Sequence, residues 1–328
     1  MERILITGAS GFLGGRIAAY YRDKYEIYAP GSKEMDITDR ESVKEAFEKF
    51  RPDYCVHCAA VSDVGQCDRE PERSWKINVD GSRNLAEISG LYKTKCLLCS
   101  SDQVYVGSGR EEAHREAEDL EPGNLYGREK KKAEEECLKV NPDCVMLRLS
   151  WMYDGRRDGK RASADRNAGT GEDMTTDRKK NDGITDAARG KKEHGDFFTI
   201  LAEKLEAPGT LEYPVYDRRG ITDVYEVAEN LEKAFRLPGG VYNFGSPNGR
   251  NTYETIYAMF SALGLDTGRL GKNETAFGAG GRNLCMDLTK PEKYGIRFTD
   301  TLEALVRNGG KILEHFIGET HPADSGNG

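Results

Sequence analysis

The chain has 328 residues, with 48 Lys and Arg against 56 Asp and Glu, a net charge of −8 and a mean hydropathy of −0.69. A chain of this length can bury a substantial core and divide into two lobes. The acidic balance argues against a general nucleic-acid partner, and no apolar run approaches the roughly 20 residues of a membrane span, so no membrane partner is expected. The first strand begins at once, so no signal peptide is expected. The eight cysteines, read as reduced and buried, point to a cytoplasmic protein.

A short apolar strand, Arg3–Thr7, runs into a turn with glycines at 8, 11 and 14, and a helix pattern follows over Gly15–Tyr21. Gly8 suits the tight turn, Gly11 leaves room for a pyrophosphate at the backbone, and Gly14 lets helix and sheet approach closely. The helix N-terminus then offers N–H groups to the phosphates. Further strands are expected at Glu26–Ala29, Tyr54–Cys58, Cys96–Ser100 and Cys144–Leu149, with helices at Arg40–Phe50, Ser74–Ser89 and Tyr126–Val140. This alternation predicts an α/β fold of Rossmann type: a doubly wound parallel sheet with a smaller α+β substrate lobe. Ligands in such sheets bind beyond the carboxyl ends of the strands. The glycine turn, Ala59–Ser62 and Ser100–Asp102 all follow strands directly.

Residues 1–154 are read as the dinucleotide-binding domain, joined by a returning segment near 220–238. Residues 155–195 are polar and nearly bare of large apolar side chains, the composition of a disordered insertion, either bystander or basic lid. The substrate lobe is expected from 196–219 and 239–320, with a helix at Thr252–Leu263 and a strand-like Gly240–Gly245, and 321–328 as a frayed tail.

Cys55-Val-His-Cys58 and Cys96-Leu-Leu-Cys99 have metal-like spacing. Both fall in expected buried strands, where residues three apart point to opposite faces, so no metal site is expected. Tyr126 and Lys130 stand four apart on a helix and share a face. A cation beside a phenol favours the phenolate and lowers its pKa. The pair can thus pass a proton to a carbonyl oxygen, with Ser101 as the short hydroxyl that orients it.

Taken together, these residues resemble the extended short-chain dehydrogenases/reductases, most closely the dTDP-4-dehydrorhamnose reductase group. Thr7–Gly14 matches the dinucleotide turn, which implies cofactor contacts from Gly8, Ser10, Gly11, Phe12, Leu13 and Gly14. Asp36-Ile37 matches the adenine-side segment, Cys58-Ala59-Ala60 an Asn-Ala-Ala strand end with cysteine for asparagine, and Asn78 the helix that follows. Ser100-Ser101-Asp102-Gln103-Val104-Tyr105 resembles Ser-Thr-Asp-Tyr-Val-Phe, so the resemblance assigns Ser101 the catalytic hydroxyl. Tyr126, Lys130 and Glu134 fit Tyr-Gly-x-x-Lys-x-x-x-Glu, and Arg148–Tyr153 fits Arg-x-Ser-Trp-Val-Tyr. Ser62, Asp102 and Trp151 are the implied substrate contacts. Val64-Gly65 and Ile221-Thr222 depart from the usual Val-Asp and Pro-Thr.

The implied activity is NAD(P)H-dependent reduction of a 4-keto nucleotide sugar. The alternatives are a nucleotide-sugar 4-epimerase or dehydratase, and a cofactor-binding regulatory subunit. No acid occurs in Ala29-Pro-Gly-Ser-Lys33, so Ser32 and Lys33 could hold a 2′-phosphate. That favours NADPH, with NADH as the alternative. The expected partner is the nucleotide sugar, with a homodimer as the assembly to test.

Overall fold

A computed structural model of the chain describes residues 1–156, 196–278 and 280–320, with the side chains of the last helix followed to Leu313. The expectations for the polar insertion, beyond Gly155 and Arg156, and for the tail 321–328 lie outside the described residues.

The first half alternates strand and helix: β1 (Arg3–Thr7), α1 (Phe12–Tyr21), β2 (Glu26–Tyr28), α2 (Arg40–Phe50), β3 (Tyr54–His57), α3 (Val64–Arg69), α4 (Pro71–Trp75), α5 (Ser82–Tyr92), β4 (Lys95–Ser101), α6 (Leu125–Val140) and β5 (Val145–Leu149). Then come β6 (Trp151–Tyr153), α7 (Phe197–Glu206), β7 (Leu211–Pro214), β8 (Asp217–Arg218), β9 (Ile221–Asp223), α8 (Val224–Ala234), β10 (Gly240–Phe244), α9 (Thr252–Leu263), β11 (Leu270–Asn273), β12 (Arg282–Asn283), α10 (Thr289–Glu292) and α11 (Thr301–Thr320). The main sheet has six strands in the order β10-β5-β4-β3-β1-β2, all parallel.

Strand alternation gives the sheet two cores. Ile4, Ile6, Val56, Leu97, Val145 and Leu147 face α1 and α8, while Leu5, Cys55, Cys96, Leu98 and Met146 face α2 and α5. Cys55 and Cys58 therefore point to opposite faces, as do Cys96 and Cys99. A separate core joins Phe197, Phe198, Leu211, Ile256, Phe260 and Leu305 into the smaller lobe. Among the described residues no helix is long and apolar enough to cross a membrane.

Two expectations need correction. The strand Gly240–Phe244 belongs to the main sheet, not to the substrate lobe: it pairs with β5 from Gly240↔Val145 to Phe244↔Leu149. The reason is the βαβ crossover, in which α8 packs beside α1 and returns the chain parallel to β5. The expected helix Ser74–Ser89 is broken. α4 passes into a π-helical stretch, Lys76–Gly81, before α5 begins. Such an insertion turns side chains off the regular face, and here it carries Asn78.

Candidate active site

The glycine turn combines one backbone constraint with two close approaches. Gly8 has φ +68°, and a Cβ there would lie 2.6 Å from the Ala59 nitrogen. A Cβ on Gly14 would lie 2.4 Å from the Gly8 oxygen, so α1 sits hard against the turn. Gly11 differs: its only near neighbour would be the Gly8 oxygen at 3.2 Å, and the residue is exposed. Gly11 is also the N-cap of α1 and has no side chain to bond the first-turn N–H groups. Those donors lack helical partners by construction. Ser10 is exposed beside it, while Phe12 is half-buried and Leu13 buried.

After β2, Ser32 and Lys33 are exposed. The sequence reading placed no acid in this turn, but the Glu34 carboxylate folds back to accept the Gly31 N–H at 2.8 Å. Asp36 Oδ1 accepts from the Thr38 N–H at 2.9 Å and its hydroxyl at 2.8 Å, while Ile37 is buried against Gly81. Ala59 and Ala60 are half-buried at the end of β3.

Asn78, expected at the cofactor, lies behind the loop that follows β3. It is fully buried, and its amide accepts from the Val61 N–H at 2.9 Å and donates to the Val61 carbonyl at 2.9 Å and to Glu129 at 2.6 Å. It holds the Ala59–Ser62 loop through Val61. Val61 packs on Tyr126, and exposed Ser62 follows it.

The expected catalytic group assembles where β4 ends and α6 begins. Asn124 caps α6 by accepting the Gly127 N–H at 2.7 Å. A side chain at Gly127 would strike the Gln103 carbonyl at 2.4 Å, so only glycine lets the helix approach this closely. Further along α6, Glu134 pairs with Arg148 of β5 through contacts of 2.9 and 2.7 Å and also accepts the Ser100 hydroxyl at 2.6 Å. This buried clamp sets the helix against β4 and β5.

Ser101 accepts the Gln103 N–H at 3.2 Å and donates to Asp102 at 3.3 Å. Lys130 Nζ donates to the Cys99 carbonyl at 2.9 Å and lies 5.7 Å from the Tyr126 ring centre. Burial lowers the Lys130 pKa. The expectation that Lys130 depresses the Tyr126 pKa does not hold. Burial first, and then the Asp102 charge, push the phenol well up, while a hydrogen bond with Ser101 pulls it down. Desolvation dominates, and the Lys130 ammonium is bonded to the strand. Tyr126 therefore carries its proton at neutral pH.

Asp102 and Trp151 are joined by a residue that sequence reading missed. Arg219, between β8 and β9, sets its guanidinium 5.0 Å from the Trp151 ring and 3.5 Å from Asp102 Oδ2. Asp102 Oδ2 and Arg219 Nε are both buried without a hydrogen-bond partner. Burial raises the Asp102 pKa and Arg219 lowers it. Nothing local marks Arg219 out; its flanking strands bring it across more than 100 residues of sequence from Asp102. Among the described residues no cluster of three or more potential metal ligands occurs.

The family described as "RmlD substrate binding domain" matches residues 1–176. The chain belongs to that family. It is 26% identical to the spore coat polysaccharide biosynthesis protein SpsK of Bacillus subtilis, over 85% of each chain. It is 27% identical to the dTDP-4-dehydrorhamnose reductase of Aggregatibacter actinomycetemcomitans, over 93% of this chain and 97% of that one. A solved dTDP-4-dehydrorhamnose reductase from Bacillus anthracis, in complex with NADP, superposes with a TM-score of 0.73 at 22% identity, covering 95% of this chain and 99% of that one. The fold is that of the extended short-chain dehydrogenases/reductases.

Proposed function

We propose that the protein is an oxidoreductase that uses NADPH to reduce a 4-keto nucleotide sugar. The convergence of Ser101, Tyr126 and Lys130 at the carboxyl edge of the sheet that also carries the open Gly11 turn carries this reading. The named reductase relatives support it.

The residues present fit a dinucleotide. The space over Gly11 is open, and the uncapped first turn of α1 presents donors suited to a pyrophosphate. Exposed Lys33 could neutralise a 2′-phosphate, with Glu34 in the same turn as the opposing charge. When bound, NADPH supplies the hydride. The protein's part is to position the ketone and deliver a proton. Ser101 orients the ketone oxygen. Tyr126, held protonated by burial, gives that oxygen its proton. Lys130, anchored on the Cys99 carbonyl, presents its charge to the cofactor ribose and to the tyrosinate that forms. Trp151 and Arg219 bound the sugar end, with Asp102 as acceptor for a sugar hydroxyl.

The test is to incubate the purified chain with NADPH and a dTDP-4-keto-6-deoxyhexose and follow absorbance of the reduced cofactor. Net oxidation coupled to sugar reduction is expected. A changed sugar without net oxidation would identify an epimerase. Cofactor binding without turnover would identify a binding subunit.

A further inference from the structure

Four cysteines of this chain pair across adjacent strands, in two side-by-side pairs. The register of β3 on β4 sets Cys55 against Cys96 and His57 against Leu98. One step further on, Cys58 stands beside Cys99, with the two sulfurs 3.7 Å apart. Neighbouring strands lie about 4.8 Å apart, inside the Cα range that a disulfide spans. The two pairs differ in access. Cys55 and Cys96 are 0% and 1% exposed, sealed under α2 and α5. Cys58 and Cys99 are half-buried on the opposite face, at the carboxyl edge of the sheet where the ligand end lies.

We propose that Cys58 and Cys99 form a reversible disulfide under peroxide, which switches off dinucleotide binding. The oxidation itself is independent of the proposed activity; only its effect on binding rests on that reading.

The chemistry balances with hydrogen peroxide as the oxidant. The Cys99 thiolate attacks one peroxide oxygen. The O–O bond breaks, hydroxide leaves, and Cys99 becomes a sulfenic acid. Cys58 then attacks the Cys99 sulfur, and the S–O bond breaks. Both departing oxygens take up protons, so two thiols and one peroxide yield one disulfide and two waters. The order follows from the surroundings. Cys99 shares the sulfur–sulfur contact with Cys58, and that contact with the nearby Lys130 charge pulls its thiol down against the effect of burial. The same contact holds the Cys58 thiol up. We assign Cys99, whose own carbonyl holds the Lys130 ammonium, as the attacking sulfur and Cys58 as the resolving one.

The consequence falls on the ligand end. Closing 3.7 Å to the roughly 2.05 Å of an S–S bond turns both side chains and ties the backbone of Cys58 to that of Cys99. Ala59, next to Cys58, is the backbone on which Gly8 rests, and the Cys99 carbonyl anchors Lys130. The glycine turn and the lysine thus both rest on residues that the bond would constrain.

The full chain is treated with hydrogen peroxide, alkylated, digested and analysed by mass spectrometry, and NADPH affinity is measured before treatment, after it, and after dithiothreitol. A peptide linking Cys58 to Cys99, lighter by two hydrogen atoms, is expected. NADPH affinity is expected to fall by at least about tenfold and to return on reduction. Cys58→Asn and Cys99→Ser should each abolish the link and the loss. The disulfide is overturned if the linked peptide is absent, or if peroxide drives Cys99 irreversibly to the sulfonic acid. The switch is overturned if the linked protein binds NADPH as the reduced one does. A reduced protein that never binds NADPH, yet forms the link, overturns the proposed function and the switch while leaving the disulfide standing.

Discussion

Gly8, Gly11 and Gly14 occupy one motif but carry different loads. The positions at 8 and 14 are filled by neighbouring backbone, whereas the one at 11 faces outward. Gly14→Ala should therefore destabilise the fold by about 1–3 kcal/mol through overpacking, read from a denaturant midpoint. Gly11→Val should leave that midpoint nearly unchanged and abolish NADPH binding by calorimetry; retained binding would refute the proposed cradle. Tyr126→Phe should lower the catalytic rate by on the order of 10²–10⁴ and spare cofactor affinity. The pH profile separates the two titrating partners. Tyr126 is pushed above its usual value, so it keeps its proton throughout the neutral and mildly alkaline range. Lys130 is lowered by burial, so an alkaline loss of activity belongs to its deprotonation. Lys130→Arg should move that limb upward, and an unmoved limb would assign it elsewhere. Arg219→Ala should raise KM for the nucleotide sugar without changing NADPH affinity, since it meets Trp151 and Asp102 and not the glycine turn.

The strands and helices that carry these residues are tied by buried polar links that a sequence does not display. Glu134, Arg148 and Ser100 lock α6 to β4 and β5. Glu134→Ala would strand the buried Arg148 charge and should cost about 3–5 kcal/mol, seen as a lower urea midpoint. His57 is a second link, with Nδ1 2.7 Å from the Thr7 hydroxyl and Nε2 3.0 Å from that of Ser82. Burial, aided by the Lys130 charge, lowers its pKa to about 3. An unfolded histidine titrates near 6.5, so between these values the unfolded chain binds a proton that the folded chain does not. This contribution is complete above about pH 6.5 and is lost as pH falls, at up to about 1.4 kcal/mol per unit. His57→Gln should flatten that slope between pH 7 and 5; an unchanged slope would place the proton elsewhere.

The two lobes share one surface because β6 and β9 pair just past the sheet, from Trp151↔Ile221 to Tyr153↔Asp223. The polar stretch leaves and re-enters the fold at nearly one point, where the Asp154 N–H bonds the Asp196 carboxylate at 3.2 Å. A short Gly-Ser bridge in place of residues 157–194 therefore spans the junction. Its composition offers little apolar surface to bury, and loop closure changes by only about 0.6 kcal/mol per doubling of length. The melting temperature should stay within a few degrees, and a large drop would show that the stretch packs on the lobes.

Local pattern was enough to read the βα alternation, the glycine turn, α2 from Arg40 to Phe50 and α9 from Thr252 to Leu263, because periodicity and turn chemistry are properties of neighbouring residues. The resemblance likewise singled out Ser101, Tyr126 and Lys130 as the group to test, since each sits at a fixed step from a strand end or helix start. Three things waited for the tertiary structure. Gly240–Phe244 could not be assigned to the main sheet, because a strand's partner depends on the crossover before it and not on its own residues. Arg219 could not be seen near Asp102, because their contact spans more than 100 residues and leaves no local trace. The direction of the Tyr126 pKa shift also waited for the structure, because spacing shows the cation but burial raises the pKa, and burial exists only once the chain has folded.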